Sequence, residues 1–527
     1  MFLRQIFGLI IVTVLVCSFS CRRQGGGGEV TIALSEKFQT LDTNSVLTST
    51  AADERVRSLI HNTLVRKNEK FEYVGELAKD FTIGDDNLTV TFTLQDNVKF
   101  HNGKPFTSTD AKYTIDSLMQ AGGYKSANFF DMAPDPKDAN KSVKGESRLT
   151  SIEIPDAKTL IIKVKRTSLI NQLLADLVAI PIYPEGSLEQ QKTAPIGTGA
   201  FKFVRFEQLN SFIELEANPD YWEGAPNIQK LHIKSISDSN ALQNELQAGT
   251  VDIAANPTNF TADTFNTLNK TPNLQVVQSD GSNVRYIVFN LSSSSVNDVK
   301  IRQAIAYAIN REKIIKELLD NQARIAHSIL PPESWAYAET IKYGYDPEKA
   351  RQLLQESGYK GDAVKLSFSS SGGAALKQYA EVIQSMLTEV GIKVELDSAE
   401  NQTFLEQLAK GQFQMSTAIW AGGNQDPIFL RDLFASSETP EKKTGGRNRS
   451  RYVNTEFDKI VEEAVLSVDK ATAKNLYIKA QDVVANDLPL FPLWYPANMV
   501  IANKRIGNIQ INASGDWSFL KNVTVEK

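Results

Sequence analysis

Along residues 88–94 apolar side chains at Leu88, Val90, Phe92 and Leu94 alternate with threonines, the period-two pattern of a strand with one buried face. The following Phe-His-Asn-Gly-Lys-Pro-Phe, residues 100–106, places Asn102-Gly103 where a tight turn needs positive φ, and His101 reads as a turn residue. Residues 298–319 change period: Ile301, Ile305, Ala308 and Ile309 share one helical face behind Asp298, which predicts a single helix capped by that aspartate. A second helix is predicted from Asp346, with Pro347 in its first turn, to Gly358. The tract 133–146, polar and holding Pro134 and Pro136, predicts an exposed loop. No repeat of fixed period interrupts this mixture of strands and helices.

The first residues behave differently from the rest. Arg4 precedes an apolar run from Ile6 to Val16, too short to span a bilayer comfortably, and the small residues Ser18 and Ser20 lead to Cys21. This resembles a bacterial lipoprotein signal, with Ser18 standing where leucine is usual; a simple secretory signal cleaved nearby is the alternative. Residues 1–20 are therefore read as the signal and 21–28 as a lipidated Cys21 followed by a flexible tether, Arg-Arg-Gln and four glycines.

Composition supports an exported globular body. The 527 residues are 42% hydrophobic and 23% charged, with formal net charge −5, and removing the signal with its single Arg4 makes it −6. An acidic balance speaks against a nucleic-acid partner. The two cysteines are Cys17, inside the signal, and Cys21, so the body has to be held by core burial and not by disulfides.

Enzyme chemistry finds little purchase. The Gly-x-Gly of Pro-Ile-Gly-Thr-Gly-Ala-Phe, residues 195–201, lacks the lysine and spacing of a phosphate loop and runs into a strand-like Phe-Lys-Phe-Val-Arg-Phe; a tight structural turn is the expectation. His61, His101, His232 and His327 show no ligand or triad spacing. No metal, no cofactor and no catalytic residue are expected.

Seven segments in order carry a family likeness: "LAKDFTIGDDNLTVTFTLQDNVKFHNGKPFTSTDAKYTIDSL", "PIGTGAFKFVRFEQLNSFIELEANPDYWEGAPNIQKLHI", "LQAGTVDIA", "FNLSSSSVNDVKIRQAIAYAINREKII", "YDPEKARQLLQESGYKG", "EVGIKVEL" and "LPLFPLWYP". Together they resemble the family 5 extracellular solute-binding proteins of peptide and nickel importers, over nearly the whole mature chain. The resemblance implies a two-lobed α/β, periplasmic-binding-protein-like fold with an extra domain inserted in the first lobe. It implies a first lobe over 29–280, a second over 281–488 and a tail over 489–527 returning to the first. It further implies a lipid-anchored, monomeric protein of the bacterial envelope that closes on a solute, with an oligopeptide expected, and hands it to ABC permease subunits. A non-peptide anionic solute or glycan, or an envelope sensor or adhesin of the same fold, are the alternatives. Nickel is disfavoured, because no histidine or cysteine follows His327.

The resemblance also places the site. In peptide-binding relatives the segment equivalent to Trp420, Ala421, Gly422, Gly423, Asn424 and Asp426 lines the jaw, and its backbone pairs with an extended peptide. Those relatives have an aspartate three residues after the tryptophan, pairing with the peptide's α-ammonium; here that residue is Gly423. Asp426 is either a substitute carboxylate or part of an Asp-Pro turn. Arg447, Arg449 and Arg451 alternate, so in an extended segment their guanidinium groups would converge on an anion, or else form a solvated loop. Lys37, Phe38 and Gln39, in the loop after the first strand, complete the ligand-facing candidates. Trp420 and Trp494 are candidates for a cavity floor, though either tryptophan would serve equally as core.

Overall fold

The computed structural model describes residues 28–44, 50–122, 124–135, 138–422, 425–443 and 445–526. The alternation at 88–94 forms the strand Thr89–Leu94, whose Val90, Phe92 and Leu94 are buried. It lies in a four-stranded antiparallel sheet ordered Ala78–Ile83, Thr89–Leu94, Thr159–Val164, Leu149–Asp156. The helix Ser108–Ala121 packs on this sheet, and Phe106, Ile115 and Leu173 join the strand residues in one core.

Two larger mixed sheets form the lobes. The first has seven strands in the order Phe201–Glu207, Phe212–Ala217, Lys230–Ser235, Glu29–Leu34, Ile253–Ala255, Asn498–Asn503, Leu274–Ser279. Its centre, Glu29–Leu34, runs parallel to both neighbours and is buried at Val30, Ile32, Ala33 and Leu34, as parallel strands covered on both faces must be. The second has six strands, Ala323–Ile325, Leu490–Pro496, Val284–Phe289, Met415–Trp420, Val364–Ser369, Val394–Ala399. Along Val284–Phe289 side chains divide by period two: Val284, Tyr286 and Val288 enter one core, Ile287 and Phe289 another.

The chain passes between these sheets twice, from Ser279 to Val284 and from Pro496 to Asn498. The second passage falls later than the expected return at 489. Leu490–Pro496 is buried from Leu490 to Tyr495 and bonded on both edges within the six-stranded sheet, so its apolar run belongs to the second lobe.

The helix Pro347–Ser357 is capped by Asp346, whose carboxylate accepts from the Lys349 N–H at 2.9 Å, and it ends at Gly358 with φ +70°. The helix capped by Asp298 stops early, at Ala308. Ile309 turns extended, and Asn310 caps a new start by accepting from the Lys313 N–H at 2.8 Å, so one expected helix is two. The polar tract 133–146 is no loop: Phe130–Asp135 and Asp138–Ser147 form an antiparallel ladder. A two-stranded ladder is all edge, where proline is tolerated. Among the described residues no helix is long and apolar enough to cross a membrane.

Candidate functional site

The strand Met415–Trp420 is central, antiparallel to Val284–Phe289 on one side and parallel to Val364–Ser369 on the other. Its ladder ends with the pair Val284↔Trp420. Trp420 is half-buried, stacked on Tyr286 at 6.3 Å and edge-on to Phe429 at 4.9 Å. Beyond it the chain continues through exposed Ala421 to Gly422, which has φ +76°. A Cβ on Gly422 would meet nothing within 4 Å, so the residue supplies the left-handed turn and leaves open space beside the backbone. Its N–H donates to Asn283 Oδ1 at 3.2 Å. Gly423 and Asn424 lie outside the described residues.

Gln425 and Asp426 bring in the other lobe. Gln425 is buried; its amide donates to Ser282 Oγ at 3.1 Å, at the first passage between sheets, and its Oε1 accepts from Lys67 Nζ at 3.5 Å. Asp426 serves its own turn, accepting from the Ile428 N–H at 2.9 Å through Oδ1, while its Oδ2 accepts from the Tyr73 hydroxyl. Of its two readings the turn is seen here: Asp426 shapes the Asp-Pro turn, and its contact with Tyr73 crosses between the lobes. Burial pushes its carboxyl above the ordinary aspartate range, opposed chiefly by Lys67, and burial lowers the Lys67 ammonium, opposed by Asp426.

Lys67 and Tyr73 belong to a short hairpin, Val65–Lys67 against Tyr73–Gly75, in which they are directly paired. Glu72, next to Tyr73, forms an ion pair with Lys470 of the second lobe. None of these three residues is a sequence candidate, because a hairpin of three-residue strands has too little pattern to announce itself and its partners lie more than 350 positions away.

The remaining candidates divide. Lys37 and Gln39 are exposed, with the Gln39 N–H held by Asp53 Oδ1 at 2.8 Å. Phe38, between them, turns inward, buried and edge-on to Phe206 at 5.1 Å. Trp494 is buried edge-on to Tyr379 at 5.4 Å, so of its two readings the structure takes the core one. The arginines do not converge. Residues 447–451 form turns and not a strand, with Arg451 at φ +56° and the Arg449 N–H bonded to the Arg447 carbonyl, so the alternation that would align them is absent. Arg447 pairs with Asp432 at 3.2 Å. Arg451 closes the helix Asn401–Ala409, donating to the Leu408 and Ala409 carbonyls at 3.1 and 2.7 Å. Arg449 stays beside Tyr286, the ring under Trp420.

A cavity of ≈ 940 Å³ opens where the hairpin meets Gln425. Its wall comes mostly from the first lobe, including Asn62, Arg66, Lys67, Glu76 and Tyr221, with Gln425 and Glu333 from the second. The volume is of the order that encloses a small organic solute, about 300–1,000 Å³. Glu76 is held inside by the Thr63 N–H at 2.7 Å and the Asn62 amide at 2.8 Å, and burial raises its carboxyl.

Two α/β lobes joined by paired crossings, with a cavity and an open stretch of backbone where they meet, make an architecture for holding a solute. The chain belongs to the bacterial extracellular solute-binding proteins, family 5, whose model matches residues 72–441. It is similar to heme-binding protein A of Haemophilus influenzae, 30% identical over 465 residues that span 85% of this chain and 83% of that one. It is also similar to the oligopeptide-binding protein AppA of Bacillus subtilis, 28% identical over 473 residues, 86% of this chain and 84% of that one. The structure of AppA with a nonapeptide superposes with TM-score 0.73 at 25% identity, covering 95% of this chain and 99% of that one. The substrate-binding protein CtaP of Listeria monocytogenes shares the fold, with TM-score 0.80 at 21% identity, covering 95% and 100% of the two chains.

Proposed function

We propose that this protein captures an oligopeptide between its lobes and delivers it to the permease of an ABC importer, as a monomer tethered to a membrane of the bacterial envelope through lipid on Cys21. The observation that carries the peptide reading is the inner end of the strand Met415–Trp420, which leaves its ladder at Trp420 and runs on through exposed Ala421 and Gly422. Ala421, exposed just past the end of that ladder, leaves backbone beside which a peptide chain can lie. The nonapeptide complex of AppA supports the same ligand class. The moving units are taken as 29–280 with 497–527, and 281–496, because Leu490–Pro496 is bonded into the second sheet. A ligand touching both units favours the closed arrangement and shifts the population toward it.

Binding is preferred over catalysis because the described histidines serve structure: His61 Nε2 is 3.0 Å from Gln191 Oε1, His101 Nε2 is 3.0 Å from the Gly199 carbonyl, His327 Nδ1 is 3.1 Å from the Ile341 carbonyl, and His232 stacks on Phe212 at 5.4 Å. Gly197 and Gly199 likewise serve packing, since a Cβ on either would lie 2.1 or 2.5 Å from backbone at Leu59–Ile60.

Mass spectrometry of small molecules released from the purified protein tests the reading without presupposing a ligand. Peptides are expected. A tetrapyrrole, visible by its absorption, or an amine-free acid or sugar would replace the peptide reading with another solute for the same jaw.

A further inference from the structure

We propose that Glu333, an acid of the second lobe in the cavity wall, reads a basic side chain of the solute, so that the cavity favours solutes carrying an ammonium or guanidinium group there over those that carry none. This rests on the peptide-capture reading above and narrows it to peptides containing lysine or arginine.

Two consecutive turns fix Glu333: the Ser334 N–H bonds the Pro331 carbonyl and the Tyr337 N–H the Ser334 carbonyl, both at 2.9 Å. Its Oε1 accepts from Arg324 at 2.8 Å. Its Oε2 is buried and has no hydrogen-bond partner among the described residues, although the side chain lines the cavity. The hydroxyl of the adjoining Ser334, itself buried, likewise lacks a partner among them. A buried polar atom left unpaired costs more than an ordinary hydrogen bond gains, so Oε2 calls for a donor that the chain does not supply.

Charge decides which donor. Arg324 pairs with Asp280 at 3.1 Å as well as with Glu333, and gives a further bond to the Gly281 carbonyl at 3.2 Å. Two carboxylates thus share one guanidinium, which leaves one negative charge over. The Asp280 side chain is 63% exposed and that of Glu333 21%, so water screens the first and the excess is felt at the second. A cationic donor neutralises it, with a charge-assisted bond about twice as strong as a neutral one. The acid is also set in place before any solute arrives. Arg324 is directly paired with Tyr495 in the sheet and lies over its ring at 5.8 Å, and the Tyr495 hydroxyl is 2.6 Å from the Leu330 carbonyl, just ahead of Glu333. One buried ring therefore positions both members of the pair, which lowers the ordering cost of binding. A cation on Glu333 completes an alternating row of charges, solute, Glu333, Arg324 and Asp280, that ends on the first passage between the lobes.

The test offers an elastase digest of casein to the wild-type protein and to Glu333→Gln, and counts the retained peptides by mass spectrometry. The α-amine is common to both classes of peptide, so the comparison isolates side-chain charge. Glu333→Gln keeps an oxygen for Arg324 and removes the negative charge. Wild type should enrich lysine- and arginine-containing peptides over the rest by about ten-fold or more relative to the digest, the scale of one hydrogen bond to a charged group. Glu333→Gln should still retain peptides but lose that enrichment. A smaller enrichment by the wild type, or one that Glu333→Gln leaves unmoved, overturns the proposal and gives Oε2 to solvent. If neither protein retains peptide, the peptide reading fails by itself, and calorimetric titration with agmatine decides the role of Glu333. Agmatine should bind the wild type, and Glu333→Gln about ten-fold or more weakly. Equal binding to the two, or none to the wild type, overturns that role whatever the solute.

Discussion

Gly281 lies against Pro496 at the point where the two passages between lobes run side by side: a Cβ on Gly281 would stand 2.1 Å from the Pro496 carbonyl oxygen. The neighbouring Asn498 amide joins the first passage to the C-terminal tail, donating to the carbonyls of Asp280, Asn512 and Ala513 at 3.2, 2.9 and 3.1 Å. Arg324 clamps the outside through Asp280 at 3.1 Å and Glu333 at 2.8 Å. A hinge built this tightly moves by small rotations of two adjacent backbones and not by loosening a loop.

Gly281→Ala should therefore force the two passages apart. The obstructing atoms are backbone, which no rotamer change relieves, so the cost should resemble overpacking, about 1 to 3 kcal/mol. Urea denaturation measures it. A variant as stable as wild type, with an unchanged ligand-free radius of gyration, would show that the crossings have slack.

A second prediction concerns Arg302, buried beneath the C-terminal end of the helix Lys470–Asp487. Its guanidinium donates to the carbonyls of Leu488 at 3.0 Å, Val296 at 2.9 Å and Asn297 at 2.7 Å, as well as to that of Asp487. A cation suits a helix C-terminus, where carbonyls lack partners. Arg302→Met keeps bulk but strands these acceptors, and should cost about 2 to 4 kcal/mol by chemical denaturation. A loss below about 0.5 kcal/mol would mean water replaces the guanidinium, within the range of a surface change.

Asp176 gives the protein a pH dependence of its own. It is buried, its Oδ1 accepting from Asn128 at 2.8 Å and Gln172 at 3.1 Å, and burial raises its pKa to about 7. An unfolded aspartate titrates near 3.9. Below that pH both states hold the proton and the folded state bears no penalty from this group. Between there and about 7 the unfolded state releases a proton that the folded state retains, so stability falls as pH rises, and above 7 the loss is complete. Asp176→Asn keeps an oxygen for both amide donors and removes the charge. Its stability relative to wild type should grow from about pH 4 to about pH 7 and level off beyond. A difference that stays constant over that range would show Asp176 to be ionised throughout.

What the sequence reveals depends on how far apart the determinants lie. The strand Thr89–Leu94 and the helix Pro347–Ser357 are legible because period and caps sit within a dozen residues. The break at Ile309 is hidden because Ile301, Ile305, Ala308 and Ile309 keep one helical face up to it, and only the structure shows the Asn310 side-chain Oδ1 accepting from the Lys313 N–H to start a new turn. Arg447, Arg449 and Arg451 mislead for the converse reason: alternation implies a shared direction only in extended backbone, and this segment turns. At the site, Trp420 and Asp426 are visible from their own neighbourhood, whereas Lys67 and Tyr73 gain their meaning only from closure of the lobes.

The last prediction concerns attachment. The described body begins at Gly28, and Glu29 is already paired with Lys230 in the seven-stranded sheet. Between that sheet and Cys21 stand Arg22, Arg23, Gln24 and four glycines, a length of chain that reaches at most about 25 Å. Lipid on Cys21 would hold the body close to a surface without burying any face of it. Each buried CH₂ adds about 0.8 kcal/mol, and a single chain binds only reversibly, so firm attachment requires the several chains of a bacterial lipoprotein. Arg22 and Arg23 add attraction to anionic headgroups, which salt screens. Cys21→Ser should consequently leave the membrane fraction and appear in the soluble fraction, completely so after a high-salt wash removes the contribution of the two arginines. Retention of the washed variant on membranes would mean that something other than lipid on Cys21 holds the protein there.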